Sequence, residues 1–524
     1  MKRVEECAGA ERELKFVADP KTFRAALALP LLGGGADPPA WRRLRSTYFD
    51  TDDGELSRKR VALRVRRIDG AYVIGLKKEA PDRGLFDRDE VEAPSPSQEP
   101  DPALFNREIA GAIKTIVGEK ALKPKFGSNI RRATRMVTVD GAAVEVAFDH
   151  GFLFAGQRRE PTREIELELK SGEPAALFAL GAALADALPA RLCVRSKAER
   201  AAQLLSTAPP EPARAQSLAI PPDLPIDGAI AVILRNCLAQ FLGNLPALEI
   251  GDAVEAVHQM RVAMRRLRSA LGLFNRLCPC VGFDALRAES KRIAAVLGEA
   301  RDWDLLAESL LAGPISNLAG EPGFDRLLRA TRAKAEAARD AVKRLADSQA
   351  ATRLALSLER LVARREWRDA EDHVSALDAP VVRFAAQSLA RLDRKLRKRG
   401  RHFRSLSPEA MHALRIAMKH MRYATEFFGS LFKPDSAVER YARKCSALQD
   451  RLGELNDARI AQRLIKALDF DADPELAYAA GVAVGWCARA SVGDAAALSK
   501  DWRSLLEADR YWRSKSAERE LESD

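Results

Sequence analysis

Aromatic residues make up only 6% of this 524-residue chain, and cysteine occurs seven times. The cysteines are scattered. The one close pair, Cys278 and Cys280, has a single intervening residue where zinc hairpins use two to four, so free buried thiols are expected and neither a disulfide framework nor a zinc site is. No run of about 18 apolar residues occurs. The nearest, Pro174 to Pro189, is alanine-rich and broken by Asp186, as in a helix lying on a core. The first residues, Met1 to Glu6, lack the apolar segment of a secretory signal, so a cytoplasmic protein with no membrane partner is expected. Gly33-Gly34-Gly35 has no Lys-Ser/Thr after it and opens no helix, which argues against a phosphate-cradling P-loop.

What is present is length for two or three domains and a net charge of +11, which points to a polyanionic partner. Up to about Leu205 short alternating segments separated by turns indicate antiparallel strands. In Glu11-Arg12-Glu13-Leu14-Lys15 the two carboxylates and the lysine share a face. Leu44–Thr51, Ala62–Arg67 (with Arg64 and Arg66 on one side) and Tyr72–Lys77 follow. Phe86–Glu92 then puts Arg88, Glu90 and Glu92 on one face. A helical interlude is expected around Ala103–Val117. Arg131-Arg132 leads into Met136–Val139, Ala143–Asp149 carries Glu145 and Asp149 on one side, and Glu164, Glu166 and Glu168 alternate with apolar residues. Mixed charges at period two, with apolar opposite faces, suit a closed barrel with a charged lumen. Carboxylates crowded there call for a hard divalent cation such as Mg2+ or Mn2+, and the arginines and lysines call for an anion such as a polyphosphate.

Those motifs, in this order and ending at Ser196-Lys197-x-x-Arg200, resemble the CYTH or triphosphate tunnel metalloenzyme superfamily over residues 1–205. The resemblance implies an eight-stranded antiparallel tunnel with accessory helices that hydrolyses triphosphates using Mg2+ or Mn2+. It assigns the metal to Glu11, Glu13, Asp149, Glu164, Glu166 and Glu168. The triphosphate falls to Lys15, Arg64, Arg66, Lys77, Arg88, Arg132, Lys197 and Arg200, and Glu90 and Glu92 join the catalytic set.

Prolines at 209, 210, 212, 221, 222 and 225 mark a linker over 206–226, after which helical periodicity takes over. His258-x-x-Arg261-x-x-x-Arg265-Arg266-x-Arg268 recurs as His412-x-x-Arg415-x-x-x-Lys419-His420-x-Arg422, and Leu297-Gly298-Glu299 recurs as Leu452-Gly453-Glu454, so residues 227–515 contain a duplication with units near 227–375 and 376–515 and a short tail over 516–524. Each copy presents a basic ridge with no acid inside it, bordered by an apolar stripe. Residues 394–404 add further positive charge. This half resembles the CHAD (conserved histidine α-helical) domain, which implies two pseudo-symmetric four-helix bundles binding inorganic polyphosphate on the ridges. At the second repeat Asn456 and Arg459 stand where the first has Arg301 and Asp304, a departure from symmetry.

The whole is therefore expected to be a multidomain α+β protein: an inorganic triphosphatase releasing pyrophosphate and phosphate, tethered to long-chain polyphosphate and its granules. The rivals are a polyphosphate-binding protein with an idle tunnel and an enzyme acting on thiamine triphosphate or on ATP. An organic substrate needs a pocket, and no aromatic cluster marks one beside the tunnel motifs. Nucleic acid is not expected as a partner, because aromatic residues do not interleave with the basic stripes of the helical half.

Overall fold

The computed structural model describes residues 9–35, 39–79, 84–318, 320–369, 374–468, 473–490 and 494–513. They divide into two compact units, one running to Glu211 and including Ala346–Arg364, the other containing Pro212–Leu345 and the chain from Arg365 onward. Each unit is described on its own.

The first unit is built on β1 (Gly9–Val17), β2 (Arg42–Asp50), β3 (Val61–Ile68), β4 (Ala71–Glu79), β5 (Asp87–Ser95), β6 (Lys123–Val139), β7 (Ala142–Ala155), β8 (Arg158–Ser171) and the short β9 (Arg191–Leu192). The order is β5-β4-β3-β2-β6-β7-β8-β1, all antiparallel, and pairing of β1 with β5 closes the eight long strands into a barrel. Period-two patterning decides which way each side chain points. Glu13 lies opposite Glu168, Lys15 opposite Glu166, Lys77 opposite Glu90 and Arg132 opposite Asp149, so the charged rows line the lumen. The reverse face carries Leu14, Phe16, Leu63, Val65, Ile74, Val146, Phe148, Ile165 and Leu167, all buried.

Helices cover much of that apolar exterior. α1 (Pro20–Ala28) packs on β8, α2 (Glu55–Arg58) and α3 (Arg107–Val117) join a cluster with Phe49, Leu63, Val65 and Ile74, α4 (Pro174–Ala187) lies on β1 and β8, and α5 (Lys197–Gln203) sits against β6 and β7. β6 begins well before the expected Met136. Lys123, Pro124, Gly127 and Asn129 are poor strand formers, but pairing with β2 holds them extended. Gly127 is needed there, since a Cβ would meet the Ser46 carbonyl and the Phe154 ring at 2.5 Å.

The second unit is helical, with α6 (Ile226–Leu242), α7 (Leu245–Ile250), α8 (Ala253–Phe274), α9 (Val281–Leu310), α10 (Phe324–Asp347), α12 (Val374–Leu377), α13 (Val381–Arg399), α14 (Pro408–Phe428), α15 (Asp435–Lys466), α16 (Pro474–Ala490) and α17 (Ala495–Leu506), and α11 (Gln349–Arg364) falls between α10 and α12 in the chain. α6, α8 and α9 of the first repeat correspond to α13, α14 and α15 of the second, and α8 meets α14 while α9 meets α15. An 18-residue stretch within Ile226–Ile250 has a mean hydropathy of 1.3 and is 61% buried, as a core helix of the first repeat is. The proline-rich linker is laced to the second unit, with Ala213 and Asn244 exchanging bonds of 3.0 and 2.8 Å and the Gln216 carbonyl accepting from Asn236 at 3.1 Å.

α11 departs from the expected division. It lies in the middle of the helical half in sequence but folds with the first unit, against α4 and β9. Its amphipathic pattern explains why: Leu354, Leu356, Leu358, Leu361 and Val362 are buried, and Leu356 reaches the Cβ-free side of Gly181 on α4. Thr352 Oγ1 accepts the β9 amide of Leu192 at 3.1 Å.

Candidate active site

The lumen is a cavity of about 1240 Å³ lined by Glu11, Glu13, Lys15, Arg64, Arg66, Lys77, Arg88, Glu90, Glu92, Arg132, Glu166, Glu168 and Lys197. Of the expected site residues, Asp149, Glu164 and Arg200 stand behind this lining. Arg200 is turned to Glu160 (2.9 Å) and Glu164, so its guanidinium buttresses a carboxylate and does not face the space. Glu145, Lys170, Ser196 and Tyr48 also line the cavity and carried no assigned role. Glu145 had the visible signal of sharing a face with Asp149. Lys170 follows the alternating run by one residue and had none.

The ion pairs form two groups. In the first, Lys77 Nζ bridges Glu11 (2.6 Å) and Glu90 (3.0 Å), Arg64 Nη2 bridges Glu90 (2.7 Å) and Glu92 (2.8 Å), and Lys15 pairs with Glu13. Gly75, opposite both Arg64 and Glu92, makes room for this: a Cβ there would sit 3.3 Å from Arg64 Nε. In the second, Asp149, Glu164 and Glu166 offer oxygens within 4.8 Å of one another. Lys197 Nζ reaches all three at 2.9, 2.5 and 2.6 Å, and Arg132 holds Asp149 at 2.7 and 2.5 Å and also bonds Glu166.

Charge is unevenly met across the lumen. Burial, then Glu13 and Glu90, push the Glu11 carboxyl up to about 8 despite Lys77. Burial also opposes ionisation of Glu166, but Lys197 and Arg132 outweigh it and hold this carboxyl well below its ordinary value. Arg66 shows the opposite imbalance. Burial and the neighbouring Arg64 lower it to about 10, and its contacts are Ser46 Oγ at 3.2 Å and Glu92 at 3.9 Å. Arg88 donates to carbonyls, Val194 at 3.3 Å and Leu85 at 3.4 Å. The all-oxygen donor set of Glu11, Glu13, Glu166 and Glu168 facing the cavity fits a hard divalent cation. The under-compensated guanidinium groups fit phosphate oxygens.

In the second unit the two ridges converge. Lys419 is lowered to about 6 by burial and then by Arg265, Arg415 and Arg261, and Arg265 falls to about 10 under burial and the push of Arg261, Arg415 and Arg422. Acids do approach these ridges: Asp302 of α9 meets Arg261 at 2.8 Å, Asp457 of α15 meets Arg415 at 3.8 Å, and Glu426 meets Arg422 at 3.1 Å. His258 is half-buried with Nδ1 unpartnered, whereas His412 is exposed, so the two repeats differ at this position. Arg268 and His420 belong elsewhere, to a cluster with Lys395, Arg399 and Arg287; burial and those cations lower His420 to about 4, and its Nδ1 lies 3.0 Å from Ser269 Oγ.

Arg266 is not on a ridge. It is buried, bonding Gln240 at 2.9 Å and Asn236 at 2.7 Å, with its guanidinium 5.4 Å from the Phe427 ring centre. Replacing it with Ala strips partners from a buried polar network, so a loss of about 3–5 kcal/mol is expected in calorimetric melts.

A closed antiparallel tunnel with this lumen defines a triphosphate tunnel fold. The chain carries a CYTH domain, matched over residues 9–202, followed by a CHAD domain, matched over residues 232–466. It is 32% identical over 137 residues to an inorganic triphosphatase of Haemophilus influenzae, a match covering 26% of this chain and 38% of that one. An uncharacterized protein of Mycobacterium tuberculosis is 26% identical over 456 residues, spanning 80% of this chain and 81% of its own length. The crystal structure of the CHAD domain from the plant Ricinus communis is 33% identical, with a TM-score of 0.49, over 57% of this chain and 98% of that domain.

Proposed function

We propose that the first unit is a metal-dependent triphosphatase that hydrolyses inorganic tripolyphosphate to pyrophosphate and phosphate, and that the second binds inorganic long-chain polyphosphate, placing the enzyme in the cytoplasm on or near polyphosphate granules. The observation that carries the reading is one cavity lined both by the crowded carboxylates Glu11, Glu13, Glu166 and Glu168 and by Arg66, whose contacts are only Ser46 Oγ at 3.2 Å and Glu92 at 3.9 Å among the described residues. A triphosphate with its cation satisfies both. The Haemophilus relative, an inorganic triphosphatase by name, supports it.

Glu11, Glu13, Glu166 and Glu168 would hold Mg2+ or Mn2+ from the lumen side, with Asp149 and Glu164 behind them. Such an ion, when bound, neutralises phosphate charge and acidifies water. Lys15, Arg64, Arg66, Lys77, Arg88, Arg132 and Lys197 orient the phosphate oxygens and stabilise charge on the leaving group. Glu90 and Glu92 fix Arg64 and Lys77 in place.

An aromatic pair does stand in the tunnel wall, contrary to the sequence expectation. Tyr48 and Phe126 stack at 5.1 Å. Both rings pack with Ala198 and Ala201 of α5 and border the cavity, so they offer an apolar wall there and the choice between inorganic triphosphate and thiamine triphosphate or ATP falls to the assay. Phosphate release from tripolyphosphate, long-chain polyphosphate, ATP and thiamine triphosphate, with and without metal, tests this. Metal-dependent turnover of tripolyphosphate alone is expected; no turnover of any of the four, with polyphosphate still bound, would make this a binding protein.

The ridges add a pH dependence. Lys419, lowered to about 6, is neutral above that pH in the free protein, and an adjacent polyanion raises it again. Binding therefore takes up a proton, and polyphosphate affinity is expected to rise as the pH falls from about 8 towards 6. Titration calorimetry in two buffers of different ionisation heat measures the uptake; identical apparent enthalpies contradict it.

A further inference from the structure

The barrel has a bare stretch of outer wall. Where β2, β3, β6, β7 and β8 run past their covering helices, Arg43, Arg45, Arg67, Arg131 and Arg159 are exposed and Arg163 is half-buried. The registers bring them together. Arg43 lies opposite Arg131, Arg131 opposite His150 and His150 opposite Arg163, while Arg45 lies opposite Arg67. Like charges directly opposite on one face destabilise a sheet. Among the described residues, none of these six arginines forms an ion pair with a carboxylate to offset that cost.

Aromatic rings occupy the gaps. Arg131 stands 5.9 Å from the Trp41 ring centre, Arg67 6.0 Å from Tyr72 and Arg159 4.9 Å from Phe152. Trp41 also meets His150 edge-on at 4.8 Å, and His150 is held below its ordinary pKa by burial, Arg131 and Arg163. In the helical half the ring contacts of basic residues are Arg422 with Tyr423 and the buried Arg266 with Phe427, whereas here three rings lie among arginines of neighbouring strands.

We propose that this outer face is a docking surface for single-stranded nucleic acid. Phosphates neutralise the facing arginine pairs, and bases stack on guanidinium planes and on the half-buried rings of Trp41 and Phe152, as sheet surfaces of this kind allow for two or three bases. The row from β3 to β8 spans about 19 Å at the usual strand spacing, enough for that number. Inorganic polyphosphate gains nothing from the rings, and a duplex hides its base faces. The face is on the outer side of the strands whose inner side lines the tunnel, so its loss leaves the lumen intact.

The test is fluorescence anisotropy of a labelled oligothymidylate and oligouridylate of about 12 nucleotides with the full chain. Wild type is expected to bind, and Arg45→Glu with Arg131→Glu to lose at least tenfold in affinity and flatten the salt dependence. Melting temperature should hold or rise, because two facing like-charge pairs are removed. Trp41→Ala should weaken the oligonucleotide but not long-chain polyphosphate, and Arg45→Lys with Arg131→Lys should keep part of the binding. Arg261→Ala with Arg415→Ala, in the other unit, should leave oligonucleotide affinity unchanged. The proposal is overturned if wild type and the charge-reversed variant bind alike, if binding disappears with the Arg261 and Arg415 changes, or if polyphosphate competes as well against wild type as against Trp41→Ala. These outcomes are independent of whether the tunnel turns over tripolyphosphate.

Discussion

Glu166→Gln is expected to lower tripolyphosphate turnover by about a thousandfold, measured as phosphate release at saturating metal. Glu166 stands where Lys197, Arg132 and Lys15 converge, and its oxygens orient the first two at the lumen wall. Neutralising it leaves two buried cations leaning on Asp149 and Glu164 alone, which draws them back from the cavity and costs about 3–5 kcal/mol of stability. The same variant has a pH signature. Asp149, Glu166 and Glu90 are all lowered in the folded state, so the stability they contribute is present above their unfolded values near pH 4 and is lost as pH falls through the folded ones. Glu11 runs the other way: raised to about 8, its contribution is present below its unfolded value and lost as pH rises through about 8. Melting curves should therefore show acid destabilisation in wild type that is shallower in Glu166→Gln. An equal acid slope in both would contradict the role of this carboxylate.

A chain ending at Glu211 is expected not to fold as a stable tunnel. It contains every lumen residue but lacks α11. That helix buries Leu354, Leu356, Leu358 and Leu361, and burying four leucines is worth on the order of 6–12 kcal/mol, comparable to the whole stability of a domain. Without it, the outer side of α4 and the free edge of β9 face water. Far-ultraviolet melts of the truncated chain should show a transition far below that of the full protein, or aggregation. Joining residues 346–364 back through a flexible linker should restore it. A truncated chain melting within a few degrees of the full protein would show that α11 is dispensable.

The lumen was legible because strand periodicity is local: once Glu11, Glu13 and Lys15 are extended, they must share a face, and the same holds for Arg64 with Arg66 and for Glu164 with Glu166. The ridge helices were legible for the same reason at period 3.6. Other features depend on partners far away in the chain. Asp149 and Glu164 read as lumen ligands but are drawn behind the wall by Lys197 and Arg200, more than thirty positions away. Arg266 looks like its ridge neighbours, yet Asn236 and Gln240 on α6 take it into the core.

The sequence by itself determined the two architectures, the direction of each strand side chain and the duplication in the helical half, because these follow from residue spacing along one element. Tertiary structure alone decided which charges are balanced, that α11 completes the tunnel unit, and that arginines from separate strands meet aromatic rings on the outer wall. Those outcomes are set by cross-strand register and by packing between elements distant in sequence, and neither is encoded in the period of any one segment.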